Sequence, residues 1–275
     1  MVSYVSAESR KKRSPGVIAL HSAEGFEGMR RAGNLTARAL DMLVDEVRPG
    51  VTTAELDQMA FEFAMDHNAI PATLFYKGYR HSTCISLNHV VCHGIPSDKA
   101  LREGDIANID LTLILDGWHG DSSRMYGVGE ISRKAERLIN VTHEALMAGI
   151  AVCRPGNTTG DLGAAIQAYA EGERMSVVRD FVGHGLGRLF HDEPNIMHFG
   201  APGTGVELKP GMIFTVEPMI NLGRPHVKIL SDGWTAVTRD RTLSAQFEHS
   251  IGITEDGCEV FTASPEGKFN PLTAR

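Results

Sequence analysis

Apolar residues recur at steps of three and four positions near the amino terminus and predict two helices. The first spans Ala23 to Val47 and ends at the helix-breaking residues Arg48-Pro49-Gly50. Thr52 or Thr53 then caps a second helix. The apolar positions of this second helix are Leu56, Met59, Ala60 and Phe63.

The same two-helix pattern occurs a second time. RPGVTTAEL at Arg48–Leu56 matches RPGNTTGDL at Arg154–Leu162, an offset of 106 positions, and the preceding helices align at that offset. LREGDIANID at Leu101–Asp110 resembles LKPGMIFTVE at Leu208–Glu217, an offset of 107. Chance similarity of helix-stop sequences explains one match better than three at nearly one offset. We therefore expect two related halves, about residues 23–130 (the first half) and 131–262 (the second half).

The stretch NIDLTLILDGWHGD, residues 108–121, predicts a β-hairpin that carries two aspartates on one face. Asp116-Gly117 between apolar runs favours a two-residue loop, which pairs Thr112 with Asp121. Asp110 is then a diagonal neighbour on the same face, roughly 7–8 Å away at Cα. A shared cation would balance two such inward carboxylates. The alternative interpretation is one buried acid paired with an arginine and one exposed acid.

Five further acidic or histidine side chains stand in short apolar contexts. Glu217 follows the run MIFTV, and the repeat relates it to Asp110, so a pseudo-twofold axis would bring both acids to a central site. His184 lies among Gly183, Gly185 and Gly187, which permit close approach of the backbone. Each residue taken alone is more often structural than functional. The remaining members of the set are His93, His191 and Glu248.

Composition limits the function classes. The 275 residues are 42% hydrophobic, and 27 Lys and Arg against 34 Asp and Glu give a net charge of −7, which argues against non-specific nucleic-acid binding. No apolar run approaches the length of a membrane span, and no secretory signal precedes the first helix. Cys84, Cys92, Cys153 and Cys258 form no close metal-binding cluster, so we expect reduced thiols in the cytoplasm.

Residues 1–17 read as a polar, partly disordered amino-terminal arm, followed by a single domain over 18–275. The basic run Arg10–Arg13 would suit an anionic partner such as ribosomal RNA. The alternative is a solvated tail without a partner.

Five motifs together resemble the methionine aminopeptidases of the type I, bacterial kind. The resemblance covers about residues 23–262, and it rests on CISLNHVVCHGIP, NIDLTLILDGWHGDSSRMY, GHGLGRLFHDEP, GMIFTVEPM and DGWTAVTRDRTLSAQFEH. It implies an α+β pita-bread fold, with two pseudo-symmetric halves around a curved antiparallel sheet and helices outside. The duplication inferred from the repeat agrees with this fold.

The resemblance implies a site for two divalent metal ions. Its five ligands would be Asp110, Asp121, His184, Glu217 and Glu248. In the family pattern Asp121 and Glu248 bridge the ions, Asp110 completes one, and His184 with Glu217 completes the other. Four carboxylates neutralise two divalent ions, and an oxygen-rich set with one imidazole suits Mn, Fe or Co and admits Zn.

The implied reaction is hydrolysis of the first peptide bond after an amino-terminal methionine, with a small residue in second place. Glu217 resembles the general base of the family. His191 resembles the residue that stabilises the oxyanion, and His93 resembles the one that bonds the scissile amide nitrogen. The substrates would be nascent polypeptide amino termini, met by a cytoplasmic monomer near the ribosome, without specific nucleic-acid recognition or membrane binding.

The resemblance also implies an apolar pocket for methionine. The matching positions are Tyr76, Tyr79, Cys84, Phe190 and Trp234. Three positions depart from the commonest pattern: Thr73 stands where a cysteine is frequent, Lys77 replaces a histidine, and His89 replaces a glutamate. Thr73 puts the pocket shape in question, whereas Lys77 and His89 are expected at the rim. Asn88, Val90 and Ser244 match a monovalent-cation site.

Two other functions compete with this interpretation. Pita-bread peptidases that cleave before proline share the five ligands, but they usually carry a large extra amino-terminal domain. Non-catalytic pita-bread proteins that bind histones or peptides characteristically lose metal ligands. Retention of all five ligands and of both His93 and His191 favours an enzyme.

Overall fold

Four α-helices form two similar pairs in the structure, a computed structural model that describes residues 2–7 and 13–268. They are α1 (Ala23–Met42), α2 (Thr53–Asp66), α3 (Arg133–Ala151) and α4 (Thr159–Gly172), with short 3-10 turns at Leu43–Asp45 and Tyr76–Gly78. The first predicted helix therefore changes to a 3-10 turn after Met42 instead of continuing to Val47. None of the helices in the described segments is both long and apolar enough to cross a membrane.

The second helix of each pair begins with the same capping arrangement. The Thr52 hydroxyl accepts a hydrogen bond from the Glu55 amide while the Glu55 side chain accepts from the Thr52 amide, and Thr158 and Asp161 repeat this exchange. Each box satisfies amides that the first helical turn leaves without partners. Because α2 and α4 begin at residues 53 and 159, the offset of 106 seen in the sequence holds in the structure.

Seventeen strands of two to ten residues accompany the helices in the described part of the chain. They are β1 (Ser3–Ser6), β2 (Val17–Leu20), β3 (Ile70–Pro71), β4 (Thr83–Leu87), β5 (Val90–Cys92), β6 (Ile106–Leu115), β7 (Trp118–Gly127), β8 (Ser176–Val177), β9 (Gly183–Gly185), β10 (Asp192–Ile196), β11 (Ile213–Val216), β12 (Met219–Asn221), β13 (Val227–Ile229), β14 (Ala236–Thr238), β15 (Ser244–Gln246), β16 (His249–Ile253) and β17 (Cys258–Val260).

Two antiparallel sheets dominate. In the first half, β6 pairs with β3, β4 and β7, and α1 packs on β6 and β7. In the second half the strand order is β10-β9-β11-β16-β17, and α3 packs on β11, β12 and β15. Each half has its own buried apolar cluster between helices and strands. This arrangement is the α+β architecture that the sequence predicted.

The β6–β7 hairpin has the predicted register. Thr112 lies opposite Asp121, and Asp110 lies opposite Ser123. Asp116 and Gly117 form the two-residue loop with φ values of 51° and 79°, as a primed hairpin turn requires. Both aspartates therefore face the same side of the sheet, because their pairing positions are two apart.

A few main-chain and hydroxyl contacts join the two halves beside this hairpin. Glu248 donates its amide hydrogen to the Ser123 carbonyl over 3.0 Å, as an isolated bridge. The Ser122 hydroxyl donates to the Glu248 carbonyl over 2.7 Å. The Asp121 amide donates to the Ser250 hydroxyl over 3.1 Å. The contacts hold β7 of the first half against the start of β16 in the second.

The amino-terminal arm differs from the expectation. Ser3–Ser6 forms a strand that pairs in parallel with Val17–Leu20, and the Tyr4 hydroxyl donates to the Glu207 carbonyl over 2.7 Å. Strand pairing thus orders the described part of a segment that the sequence predicted to be partly disordered. Arg10, Lys11 and Lys12 of the basic run lie outside the described residues.

Candidate active site

The five side chains proposed as ligands converge from five different strands or strand ends. Asp110 lies within β6 and Asp121 within β7, His184 is the middle residue of β9, Glu217 directly follows β11, and Glu248 directly precedes β16. β11 pairs with both β9 and β16, while Glu248 bridges to β7. Pairing across the two halves therefore brings together residues that are up to 138 positions apart in the sequence.

The glycines around His184 permit this close approach, as the sequence predicted. A Cβ atom added at Gly183 would lie 2.5 Å from the Thr215 carbonyl oxygen, and one at Gly185 would lie 2.1 Å from the Glu193 carbonyl oxygen. Any side chain at either position would separate β9 from its neighbours. Glycine is thus required for the position of the His184 backbone.

Three of the five side chains meet a simple geometric condition for metal binding. Asp121, His184 and Glu248 each offer a ligand atom, and these atoms lie within 4.8 Å of one another. His184 Nε2 lies 3.6 Å from Asp121 Oδ2 and 3.7 Å from Glu217 Oε1. Because the ring Nδ1 lies 3.1 Å from the Gly185 carbonyl, that nitrogen holds the proton and Nε2 keeps its lone pair toward the carboxylates.

Burial and mutual repulsion disfavour charge on the acids of this cluster. The pKa of Glu217 and that of Glu248 are raised well above the ordinary value, first by burial and then by neighbouring carboxylates. Burial and Asp121 likewise raise the pKa of Asp110, and burial raises the pKa of Asp121 to about 7. Burial lowers the pKa of His184 to about 4, so its imidazole is neutral.

The residues present fit a divalent cation. Lys77 is the only lysine or arginine among the residues that line the cavity described below, and its ammonium lies 5.2 Å from the centre of the Tyr76 ring. Four carboxylates, two of them buried and two half-buried, would remain mutually repulsive without a cation. Oxygen donors with one neutral imidazole are a common donor set for divalent first-row metals.

Two threonine hydroxyls orient the acids, and sequence reasoning missed this role. The Thr112 hydroxyl donates to Asp121 Oδ1 over 2.6 Å. The Thr215 hydroxyl donates to Glu217 Oε1 over 2.7 Å and accepts the His184 amide hydrogen over 3.0 Å. Thr215 lies two positions from Glu217, and Thr112 lies opposite Asp121 in the hairpin register, so both positions offered a signal in the sequence.

His198 is a further residue that the sequence did not indicate. Its Nε2 accepts the Glu217 amide hydrogen over 3.0 Å, and its side chain is buried. Burial lowers the pKa of His198 to about 3, so the ring is neutral and can accept this bond. No apolar periodicity or motif relates His198 to Glu217, so only the tertiary contact identifies it.

The two predicted catalytic histidines flank the cluster. The His191 ring centre lies 4.2 Å from that of His184 and 5.2 Å from that of Tyr76. Burial, then the proximity of His184, lowers the pKa of His191 to about 3. His93 directly follows β5, has a φ of 56°, and contacts the Phe181 ring edge-on at 5.3 Å between centres.

A cavity of about 380 Å³ opens above these groups. The five predicted pocket residues all line it: Tyr76, Tyr79, Cys84, Phe190 and Trp234. Tyr79 packs edge-on against Trp234 with ring centres 5.0 Å apart, and its hydroxyl donates to the Thr83 carbonyl over 2.9 Å. Lining residues that the sequence did not indicate are Cys92, Thr112, Phe181, Val182, Met219 and Gln246.

The three departures from the family pattern fall at different places. The Thr73 hydroxyl lies 2.7 Å from the Ser82 carbonyl oxygen and 3.0 Å from the His81 carbonyl oxygen, so it connects the pocket wall to the residues just before β4. Thr73 and Lys77 line the cavity, whereas His89 is half-buried outside it. Thr73 therefore contributes to the shape of the pocket, and its effect on substrate specificity stays a prediction.

The predicted monovalent-cation residues lie close together. The Ser244 amide donates to the Asn88 carbonyl over 2.9 Å, and Val90 pairs with Val237 in β14. The buried Ser244 hydroxyl has no hydrogen-bond partner among the described residues. The Asn88 side chain is already engaged, since its Nδ2 donates to Asp105 over 2.8 Å.

A buried cluster of carboxylates and one imidazole, at the base of an aromatic cavity and between two related halves, defines a metal-dependent hydrolase. Residues 27–255 match metallopeptidase family M24. Methionine aminopeptidase of Rickettsia prowazekii is 58% identical over 251 residues, which cover 90% of this chain and 96% of that protein. The chain belongs to metallopeptidase family M24, within its methionine aminopeptidase group.

Solved structures agree with this assignment. The crystal structure of methionine aminopeptidase from Rickettsia prowazekii superimposes with a TM-score of 0.89 at 57% identity, covering 89% of this chain and 99% of that one. Prolidase from Pyrococcus furiosus shares the fold alone, with a TM-score of 0.69, 22% identity and coverage of 88% of this chain and 65% of that one. These neighbours confirm the predicted pita-bread fold.

Proposed function

We propose that this enzyme hydrolyses the first peptide bond of polypeptides that begin with methionine and have a small second residue. One observation carries the proposal: five carboxylate and imidazole side chains from both halves line a cavity whose walls include five aromatic side chains. The 58% identity to a methionine aminopeptidase supports the same substrate class.

The metal centre we propose holds two divalent ions. Asp110, Asp121, His184, Glu217 and Glu248 would hold these ions. Four carboxylate charges balance two divalent ions, and Co, Mn, Fe or Zn would suit this donor set. When bound, such ions supply the Lewis acidity that activates water at neutral pH.

Glu217 is the proposed general base. Its Oε1 accepts from Thr215 and its amide donates to His198, so the side chain and main chain are both fixed. A carboxylate held in this way can take a proton from the attacking water and pass it to the leaving amine.

The two histidines are proposed to act on either side of the scissile bond. His191 would donate a hydrogen bond to the carbonyl oxygen as negative charge develops there. His93 would hydrogen-bond the amide nitrogen. Both are neutral, because burial lowers the pKa of each, and a neutral imidazole can donate from one nitrogen.

The aromatic cavity is proposed to select methionine. Tyr76, Tyr79, Phe190 and Trp234 present ring faces and edges, and Cys84 adds a soft sulfur at the wall. Contacts between a thioether and an aromatic ring contribute about 0.3–1.5 kcal/mol each. An unbranched side chain can extend between the rings. A β-branched side chain carries two heavy atoms on Cβ, so it is wider at the point where it would enter the cavity.

Several finer points stay predictions. A monovalent cation at Asn88, Val90 and Ser244 would bind through carbonyl oxygens and the Ser244 hydroxyl. The expected setting is a cytoplasmic monomer that meets nascent amino termini beside the ribosome, without specific nucleic-acid recognition. Native mass spectrometry with added K⁺ or Na⁺ tests both the oligomeric state and this cation.

A single assay separates the three functions that the sequence left open. Metal-free protein is loaded with Mn²⁺ or Co²⁺ and incubated with Met-Ala-Ser, with Ala-Pro, or with buffer alone. We expect methionine from the first peptide, none from chelated protein, and recovery after reloading. Alanine release alone would support a proline-specific peptidase, and no release after metal loading would support a binding protein; either result overturns the proposal.

Glu259→Gln provides a matched control for variants of the acidic cluster. Glu259 lies on β17 and pairs with Arg30 over 2.7 Å, outside the residues that line the cavity. The same chemical change there should leave methionine release within about twofold of the parent enzyme, since it removes only a surface ion pair.

A further inference from the structure

The chain before β2 contacts the residues directly after His191. The Arg13 guanidinium forms an ion pair with the Asp192 carboxylate, and these side chains are only 10% and 6% exposed. Three residues later, the Gly16 amide donates to Glu193 Oε2 over 3.3 Å. The segment Arg13–Gly16, which we call the anchor segment, therefore holds two consecutive side chains at the start of β10.

The anchor segment is itself fixed to the sheet. The Gly16 carbonyl accepts the Ser3 amide hydrogen over 2.9 Å, and Val17 begins β2. At the far end of β2, the His21 amide donates to the Gly211 carbonyl over 2.7 Å. The ion pair thus joins the His191 segment to a part of the molecule that main-chain bonds hold in place.

His191 depends on its neighbours along the chain for its position. Its buried Nδ1 has no hydrogen-bond partner within the described residues, and its contacts are with the rings of His184, Tyr76 and Phe190. Ring contacts restrain the plane of an imidazole less strictly than a hydrogen bond does. The main chain at Asp192 therefore contributes much of the restraint on this side chain.

Asp192 needs Arg13. Its Oδ1 is buried and has no hydrogen-bond partner among residues 2–7 and 13–268, so loss of the guanidinium would leave a buried carboxylate unpaired. A carboxylate in that situation turns toward solvent or takes up a proton. In both cases the start of β10, beside His191, loses its ion pair to Arg13.

We propose that Arg13 is a positioning residue for His191, acting through Asp192 and the start of β10. The inference rests on the proposed function, since it assigns the reacting role to His191. It gives Arg13 an internal role in catalysis, and the external partner suggested by the basic run stays a separate prediction.

The test compares Arg13→Ala, Arg13→Lys and Arg30→Ala in the full chain loaded with Mn²⁺, with Met-Ala-Ser as substrate. Arg13→Ala should lower kcat by about 10- to 100-fold with little change in KM or metal content, because small misplacements of a reacting group have effects of that order. Arg13→Lys should recover part of the loss, because lysine keeps the positive charge but carries a compact ammonium in place of the planar guanidinium. Arg30, an exposed partner of Glu259, should change kcat less than about twofold.

A double-mutant cycle distinguishes positioning from general destabilisation. In a His191→Ala background, Arg13→Ala should have almost no further effect on kcat, because the group it positions is gone. Additive losses, or an Arg13→Ala variant with normal kcat, would overturn the inference while methionine release by the parent enzyme upheld the proposed function. A parent enzyme that released no methionine would overturn both. If Arg13→Ala fails to fold, Asp192→Asn replaces it with the same expectations.

Discussion

The two halves place their repeat-related acids, Asp110 and Glu217, in different backbone settings. In the first half Asp110 lies inside β6, which continues to Leu115 and turns into β7. In the second half, 107 positions later, Glu217 lies just beyond β11, and the chain enters β12 in a different sheet. Pro218 accounts for the break, because proline has no amide hydrogen to continue the strand ladder.

The duplication preserves the outer helices, whereas the strands that carry the site residues differ between the halves. The outer helices repeat at one offset with matching caps, whereas the inner strands differ in length and in pairing. The break at Glu217 frees its amide for His198 and places its carboxylate beside the Thr215 hydroxyl. The first half thus contributes two acids from a continuous hairpin, whereas in the second half Glu217 follows a strand break and is supported by Thr215 and His198.

Glu217→Gln should have the largest effect on activity. It removes the proposed base and one charge from the metal centre, so we expect kcat for Met-Ala-Ser to fall by about 10²–10⁴ or more. Stopped assays and metal analysis on the same samples measure both consequences. A kcat near that of the Glu259→Gln control would exclude Glu217 as the base.

Asp41→Asn tests a buried ion pair that has no counterpart at the repeat-related position of the second half. Asp41 of α1 pairs with Arg124 of β7, with both side chains about 1–2% exposed, while the residue 106 positions later is Met147, 38% exposed on α3. Breaking a buried ion pair costs about 3–5 kcal/mol of unfolding free energy. Denaturant unfolding should show this loss for Asp41→Asn and less than about 0.5 kcal/mol for Met147→Ala. Equal effects would contradict the asymmetry.

His191→Ala asks whether the second half supplies reacting groups besides metal ligands. Loss of one oxyanion donor lowers kcat by about 10²–10³, and metal content should be unchanged because His191 is not a proposed ligand. Measurements of kcat and of bound metal on the same His191→Ala sample test both expectations. Loss of bound metal in this variant would reassign His191 to the metal centre.

Thr215→Val and Thr112→Val compare the hydroxyl supports of the two halves. Each loses a hydrogen bond to a carboxylate, worth about 1.5–3 kcal/mol, but Thr215→Val also leaves the His184 amide without its acceptor. We expect a fall in kcat/KM of about 10- to 100-fold for Thr215→Val and a smaller one for Thr112→Val. The reverse order would show that the hairpin acids need the greater support.

Thr52→Ala and Thr158→Ala should have the smallest effects, and equal ones. Each removes the hydroxyl of a capping box, at a cost of about 1 kcal/mol. For a protein of this size that corresponds to a fall of about 2–4 °C in Tm. Calorimetry of the two variants side by side would reveal any inequality between the repeated helix pairs.

Local chemistry made much of the fold predictable. The Asp116-Gly117 turn and strand alternation determine which residues of the hairpin share a face, so the register followed from sequence alone. Thr52, Pro49 and Gly50 mark the boundary between α1 and α2 by the same local logic. The strand at Ser3–Ser6 escaped prediction because it is stabilised by a distant partner at Val17–Leu20, and its four exposed or half-buried residues carry no pattern of their own.

The residues of the candidate site likewise fall into those that the sequence predicted and those that only the structure revealed. The sequence by itself determined which acids and histidines stand in short apolar strands, and the repeat related Asp110 to Glu217, because these are properties of neighbouring or periodic residues. Only the tertiary structure decided that His198 bonds the Glu217 amide and that Arg13 pairs with Asp192. Such contacts join residues from 19 to 179 positions apart, and they arise when strands pack, a step that leaves no local signature in the chain.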